Sequence, residues 1–173
     1  PYFAEINAPN VRYCSFGGGS LYSDIAHEWS DCLPNCKIFN YYGPTEFTVY
    51  SGFYLYNKRT HNKSHNGILS IGTPQKYTSY IIVDENNEEL SEDLVGELCL
   101  AGPQITSGYW KNEERNTKSF FTRTENDLEV RYYKTGDLCF KDEGEINIVT
   151  FKKMVGDTLM DFKELNLKKT DVN

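Results

Sequence analysis

Seven consecutive residues, Asn40-Tyr41-Tyr42-Gly43-Pro44-Thr45-Glu46, set aromatic rings, a sharp turn, a hydroxyl and a carboxylate side by side, directly after the apolar run Cys36 to Phe39. A tyrosine face can stack on a purine, a threonine hydroxyl can donate to a phosphate oxygen, and a glutamate offers a hard oxygen to Mg²⁺. These are the groups a nucleotide needs. A second segment, Tyr133-Lys134-Thr135-Gly136-Asp137, closes another strand-like run with a carboxylate beside a glycine turn, and an acidic side chain placed there can accept both hydroxyls of a ribose. A third, Gly17-Gly18-Gly19-Ser20, lacks Cβ atoms over three residues and so admits close approach of a ligand to the backbone. Each segment also reads as a turn alone, and the aromatic stripe from Phe47 to Tyr56 reads as core packing.

The elements that must position these residues follow from periodicity. Residues 11–16, VRYCSF, alternate as a strand does and run into the glycines. From Leu21 to Asp31 a helix is expected, because Leu21, Ile25, Ala26 and Trp29 fall on one face; Ser20 is available as N-cap and Pro34 ends the segment. Cys36 to Phe39 is a short buried strand, and Phe47 to Tyr56 alternates again. Strand, helix, strand implies part of an α/β sheet. After Asn57 the composition changes: residues 58–67 are polar and unpatterned, and short strands follow at Tyr77 to Asp84, Val95 to Ala101, Leu128 to Lys134, Leu138 to Lys141 and Ile146 to Phe151. Their turn-separated rhythm, with a tight turn at Asp142-Glu143-Gly144 and one helix over Asn112 to Phe121, is that of an antiparallel β unit. The expected organisation is a partial α/β subdomain over 1–66, a small antiparallel β subdomain over 67–151 and a divergent tail over 152–173, read as a weak helix or a mobile end.

Charge and composition exclude several functions. With 18 Lys and Arg against 25 Asp and Glu, a net charge of −7 gives no attraction for a phosphate backbone, so nucleic acid is not an expected partner. No apolar run approaches the roughly 20 residues of a membrane helix, and no membrane span is expected. Five cysteines without a CxxC pair read as reduced, mostly buried thiols of a cytoplasmic protein. The chain starts at Pro1, with neither a basic nor a cleavable leader after it, and reads as a piece of a longer one. A metal site on His61 and His65, joined by His27 or a cysteine, is disfavoured because both histidines lie in a polar loop without helical pattern.

Taken together and in order, the motifs resemble those of the AMP-forming adenylate synthetases, the superfamily of acyl-CoA synthetases, luciferases and the adenylation domains of peptide synthetases. Tyr42-Gly43-Pro44-Thr45-Glu46 is similar to that family's YGPTE motif, and Tyr133 to Leu138 to its Y(R/K)TGDL motif. Gly96-Glu97-Leu98-Cys99-Leu100-Ala101-Gly102, continuing to Ser107-Gly108-Tyr109-Trp110, is similar to GELxxxG…GY(L/W), and Phe16-Gly17-Gly18-Gly19 to the segment written FGGE. The run Pro103 to Trp110, with Asn112-Glu113-Glu114 and Lys118 to Phe121 after it, most resembles amino-acid-activating members, particularly D-alanine:carrier-protein ligases.

This resemblance implies attack of a substrate carboxylate on the α-phosphate of ATP, giving an acyl-AMP and pyrophosphate, followed by transfer to a thiol. It implies ATP and Mg²⁺ as cofactors, a small carboxylic or amino acid as substrate, and a phosphopantetheinyl carrier protein as partner. By the same resemblance Thr45 and Glu46 are catalytic, Thr45 at the phosphate and Glu46 as the Mg²⁺ ligand. Tyr42 packs on the adenine, Asp137 binds the ribose, and the backbone of Gly17, Gly18 and Gly43 shapes the nucleotide pocket. Gly19 stands where many members carry Glu. The GEL strand and Gly108-Tyr109 receive no chemistry.

Two family features are missing: a Ser/Thr/Gly-rich phosphate loop with its Lys upstream of Tyr42, and the Gly-Arg-x-Asp hinge, whose Arg and Asp are replaced by Phe151 and Lys153. The expectation is the distal part of an adenylating N-terminal domain, inactive alone. The alternatives are a non-catalytic nucleotide-binding or scaffold fragment, and an acyl-CoA synthetase of the same family.

Overall fold

The computed structural model describes residues 3–60 and 62–150; His61, the hinge positions Phe151 and Lys153, and the expected tail lie outside these. The chain runs through β1 (Tyr13–Phe16), α1 (Ser23–Cys32), β2 (Lys37–Tyr42), β3 (Gly52–Tyr56), β4 (Ser64–His65), β5 (Ile68–Leu69), β6 (Thr73–Pro74), β7 (Ser79–Val83) and β8 (Gly96–Ala101). It continues through α2 (Glu113–Ser119), β9 (Phe120–Glu125), β10 (Leu128–Asp142) and β11 (Glu145–Thr150). Strands dominate a mixed α/β architecture.

The first sheet has the order β1-β2-β3-β6. β1 and β2 are parallel, with Cys14 opposite Ile38, and α1 makes the crossover that a parallel pair requires. β3 and β6 then add antiparallel. Leu21 and Ala26 are buried as the helical pattern predicts, whereas Ile25 is exposed and Trp29 only half-buried, its ring edge-on to Phe3 at 5.3 Å. Ser20 is not the cap: the helix starts two residues later than expected, with Tyr22 at the N-cap and no side-chain cap. The cause is tertiary. Tyr22 bridges Ile68, and the Ser23 backbone N–H and hydroxyl both donate to the Gly67 carbonyl, which fixes where the first turn begins.

β2 extends to Tyr42, three residues beyond its apolar run, with Ile38, Asn40 and Tyr42 facing inward. The stretch Phe47 to Tyr56 is not one strand. Thr45–Phe47 is a 3₁₀ turn, Thr48 and Val49 both take positive φ (54° and 74°), and pairing starts only at Gly52. Phe47 and Tyr54 are buried and Tyr56 packs against the same cluster as Tyr54, but Tyr50, Phe53 and Leu55 are exposed, so the aromatic stripe is core on one face only. The polar segment 58–67 also holds structure: β4 and β5 form a hairpin around Asn66-Gly67, both at positive φ, which is the type I′ signal of an Asn-Gly pair.

The second sheet has the order β11-β10-β8-β7, with β9 pairing β10. Residues 112–121 are not all helix. Asn112 caps α2, its side chain accepting from the Arg115 N–H at 3.0 Å, but the helix ends at Ser119. Phe120 opens β9, which turns into β10 through Asn126 and Asp127, again both at positive φ. The two strands expected at Leu128 to Lys134 and Leu138 to Lys141 are one strand, continuous through Thr135-Gly136-Asp137, with a register shift against β8 between Lys134 and Leu138. That bulge re-aims the side chains within it.

One buried cluster draws on both sheets: Tyr42, Phe47 and Ile71 pack with Ile82, Leu98, Leu100, Cys139, Ile146 and Ile148. The sheets are stitched where Ile71 N–H donates to Ile146 O and Ile146 N–H to Gly72 O, both at 3.0 Å. Gly72 has φ +75°, and a Cβ there would sit 1.9 Å from the Phe53 carbonyl oxygen, so the approach needs glycine. All five cysteines are free; Cys32, Cys99 and Cys139 are buried, Cys14 and Cys36 half-buried. No helix among the described residues is long and apolar enough to cross a membrane.

Candidate nucleotide site

Two segments 95 residues apart meet in one hydrogen bond: the Tyr42 hydroxyl donates to Asp137 Oδ2 at 2.5 Å. Both side chains are buried. Burial foremost, and the neighbouring Asp137 charge next, push the Tyr42 phenol well above its ordinary range, so it stays protonated and acts as donor. Asp137 sits at the bulge of β10, which β8 fastens. The Thr135 hydroxyl donates to Leu98 O at 2.8 Å and accepts from the Asp137 N–H at 3.0 Å. The Gly136 N–H donates to Glu97 Oε1 at 2.8 Å, and Glu97 Oε2 pairs with Lys134 at 3.3 Å. The buried glutamate of the GEL strand thus builds the turn that presents Asp137.

Around this bond lies a cavity of about 170 Å³, lined by the predicted Gly18, Tyr42, Gly43 and Asp137 together with Gly19, Asn40, Tyr41, Pro44 and Ile71. Complete small-molecule sites run from roughly 300 Å³ upward, so these residues supply one wall. Gly43 is required by packing: a Cβ there would meet the Val49 carbonyl oxygen at 2.4 Å. Gly17 does not line the cavity; its Cα faces the Tyr41–Tyr50 ring pair, whose centroids are 4.7 Å apart. Asn40 and Ile71 were missed as site residues. Asn40 is 3% exposed, and its amide Nδ2 donates to Ser70 O at 2.9 Å, which leaves the side-chain oxygen as its acceptor. An amide on the inward face of a strand, between Ile38 and Tyr42, was the available signal.

Thr45 and Glu46 stand beside the cavity rather than in its lining, on the 3₁₀ turn that follows Pro44. Thr45 is exposed and Glu46 half-buried. The Tyr109 hydroxyl donates to Glu46 Oε1 at 2.5 Å, and Thr106 N–H donates to the Glu46 carbonyl at 2.9 Å. Burial acts to raise the Glu46 carboxyl, but the hydroxyls of Tyr109 and Tyr133, the residue's own backbone and the Arg115 charge outweigh it and hold the group below its ordinary range. Glu46 is therefore an ionised hard-oxygen donor. Tyr109, assigned no chemistry from the sequence, is in contact with it.

No group of three or more His, Cys, Asp or Glu among the described residues is placed to hold a metal ion. His65 lies edge-on to Phe140 and the His27 ring meets the Tyr56 hydroxyl, so these two serve other contacts. A lone carboxylate suits Mg²⁺ nonetheless, because that ion is held through one or two carboxylates, its waters and the phosphates of a nucleotide.

Comparison with known proteins meets this geometry. The family described as AMP-binding enzyme matches residues 3–110, and the chain belongs to it. Over 144 residues the chain is 32% identical to D-alanine--D-alanyl carrier protein ligase of Lacticaseibacillus casei, a match covering 83% of this chain and 27% of that protein. The Vibrio cholerae adenylation domain AlmE, solved with glycyl-adenosine-5'-phosphate, superposes with a TM-score of 0.68 at 26% identity, over 81% of this chain and 26% of that one. PA1221, a peptide-synthetase protein with adenylation and carrier domains, superposes with a TM-score of 0.73 at 25% identity, over 81% and 24%. The chain thus spans about a quarter of the length of each of these three relatives.

Proposed function

We propose that this chain is the distal part of an adenylation domain that activates a carboxylate substrate with ATP for transfer to a carrier-protein thiol. The observation that carries the reading is the Tyr42–Asp137 bond, which draws the YGPTE-like turn and the TGD bulge to one cavity. In this reading the Tyr42 ring packs on the adenine, Asp137 accepts the ribose hydroxyls, and the Gly18 and Gly43 backbone admits the nucleotide. Gly17 supports that turn from the Tyr41–Tyr50 side. Thr45 contacts the phosphate. Glu46 holds the Mg²⁺, which when bound supplies charge neutralisation to the phosphates. Asn40, whose amide nitrogen is turned to Ser70 O and whose side-chain oxygen is an acceptor, suits a base bearing an exocyclic amine.

The substrate proposed is D-alanine or another small amino acid, supported by the D-alanyl ligase relatives and the glycyl-adenylate neighbour. The partner proposed is a phosphopantetheinyl carrier protein, supported by the carrier-protein names of the relatives. A second reading, nucleotide binding without turnover by these residues, is favoured by the lining: it contains no Lys or Arg to meet charge developing on a leaving pyrophosphate.

The test is a thermal-shift titration with AMP and with Mg·ATP, repeated on Asp137→Ala. Ligand at a hundredfold excess over its Kd adds about 2.7 kcal/mol to the folded state. A saturable shift abolished by the substitution supports the site, and pyrophosphate exchange then separates the two readings. No shift at millimolar nucleotide refutes it for this chain.

A further inference from the structure

The loop from Gly102 to Asn112 is fastened at many points, and its fastenings converge on Glu46. Arg131 donates from one guanidinium nitrogen to Thr106 O at 2.8 Å and from another to Ser107 O at 3.0 Å. The Thr48 hydroxyl donates to Gln104 O at 2.8 Å. Asn116, on α2, grips Tyr109 at both backbone groups, accepting from its N–H at 2.6 Å and donating to its carbonyl at 3.0 Å. The Arg115 guanidinium lies 3.9 Å from the Tyr109 ring centroid and orients the ring from its face. What this ring delivers is one hydroxyl, to Glu46 Oε1.

We propose that Tyr109 is a positioning residue for the divalent cation that accompanies the nucleotide: by holding one carboxylate oxygen of Glu46, it fixes the orientation in which that carboxylate meets the cation. The inference rests on the reading of Glu46 as the cation ligand. The Glu46 carboxylate, half-buried on a short turn, also meets the Tyr133 hydroxyl; a ligand that must be ordered at the moment of binding costs affinity, so each partner that pins it counts. The α2 helix, remote in sequence from the nucleotide motifs, is thereby coupled to the cation through Asn116 and Tyr109.

The experiment uses the full chain and two binding titrations, Mn·ATP followed by Mn²⁺ electron paramagnetic resonance and AMP in EDTA followed by thermal shift. Tyr109→Phe keeps the ring and its stacking on Arg115 and removes only the hydroxyl. The expected result is a rise of about tenfold in the Mn·ATP dissociation constant, as for loss of an outer partner of a metal ligand, with AMP binding unchanged. Glu46→Gln shows the same selective loss. Asn116→Ala, which releases Tyr109 without removing its hydroxyl, shows it too and decides the matter should Tyr109→Phe fail to fold. An unchanged Mn·ATP constant in Tyr109→Phe, with Glu46→Gln weakened, overturns the proposal and leaves the cation reading standing. Equal loss of AMP and Mn·ATP in Tyr109→Phe also overturns it, as the mark of a purely structural side chain. An inert Glu46→Gln, or an unsubstituted chain that does not bind Mn·ATP, overturns the underlying reading and the proposal with it.

Discussion

Replacing Tyr42 by Phe removes the hydroxyl from Asp137 Oδ2 and keeps the ring in the buried cluster it shares with Phe47, Ile71 and Leu98. The loss is therefore almost purely that of one hydrogen bond to a buried carboxylate, about 1.5–3 kcal/mol. For a chain of this size each kcal/mol moves Tm by about 2–4 °C, so Tyr42→Phe should melt about 3–12 °C lower, with an unchanged far-ultraviolet spectrum. The bond also defines a coupling. Asp137→Asn and the double substitution close a cycle in which the two changes, made together, cost less than their sum by about 1 kcal/mol or more. Calorimetry of the four proteins checks both numbers, and AMP titration of Tyr42→Phe should show weakened binding because Asp137 loses the Tyr42 hydroxyl that orients its Oδ2. The reasoning also predicts that Tyr42 does not ionise where free tyrosines do, near pH 10, which tyrosinate absorbance against Tyr42→Phe reads directly. Strict additivity, with single variants as stable as the unsubstituted chain, would refute the idea that this bond organises the site.

The pH profile of stability should fall on both sides. Burial raises the phenols of Tyr42, Tyr80 and Tyr133 and the thiols of Cys99 and Cys139, so the stability they contribute is full below their unfolded pKa values, about 8.5 for Cys and 10 for Tyr, and is lost as pH rises past them. On the acid side, Glu46 and Asp84 are held low, Asp84 chiefly by the Glu88 N–H; their contribution is full above about pH 4 and is lost as pH falls through their folded values. Denaturant midpoints across pH 2–11 check both limbs, and a flat alkaline limb would contradict the burial assigned to these groups. Glu145 carries a buried carboxylate oxygen, Oε2, without a hydrogen-bond partner, and burial raises its pKa; Glu145→Gln should leave stability at pH 7 unchanged or raise it by up to about 1 kcal/mol, where a clear drop in Tm would show that the attraction of the nearby Lys63 charge outweighs the burial. Gly72→Ala forces a Cβ against the Phe53 carbonyl at positive φ and should cost at least about 3 kcal/mol, read as loss of soluble folded chain, while Gly18→Ala, with open space around it, pays only the cost of its φ of +84°.

The chemistry of the site was more legible than its mechanics. Tyr42, Gly43 and Asp137 were picked through the family motifs that their segments resemble, and the structure brings these three and Gly18 to one cavity. Boundaries failed where a distant residue decided them. The start of α1 is set by Gly67 and Ile68, more than 40 positions away, and overrides the local preference for Ser20 as cap. The Asn66-Gly67 hairpin was readable in principle from its turn chemistry, but two-residue strands have no periodicity to reveal them. β9 was hidden for a different reason: it begins at Phe120 directly after the last helical residue, Ser119, with no Gly, Pro or Asn between them to mark the boundary.

Tyr109 is the instructive miss. Its motif reads as turn and packing, and at the level of the backbone it is that: Gly108 has φ +133° and Asn116 holds the next residue on both sides. The side chain nevertheless ends on Glu46, 63 positions earlier. A glycine that forces a turn and an aromatic residue after it are indistinguishable in sequence from a structural corner, because the partner that gives the hydroxyl its role is contributed by another strand's end. The same logic applies to Glu97, whose carboxylate is silent in the GEL pattern yet holds the Gly136 amide and so the bulge that aims Asp137. In this fold the residues that line the cavity lie in motifs recognisable by their types and order, whereas those that aim them are identified only by what they touch.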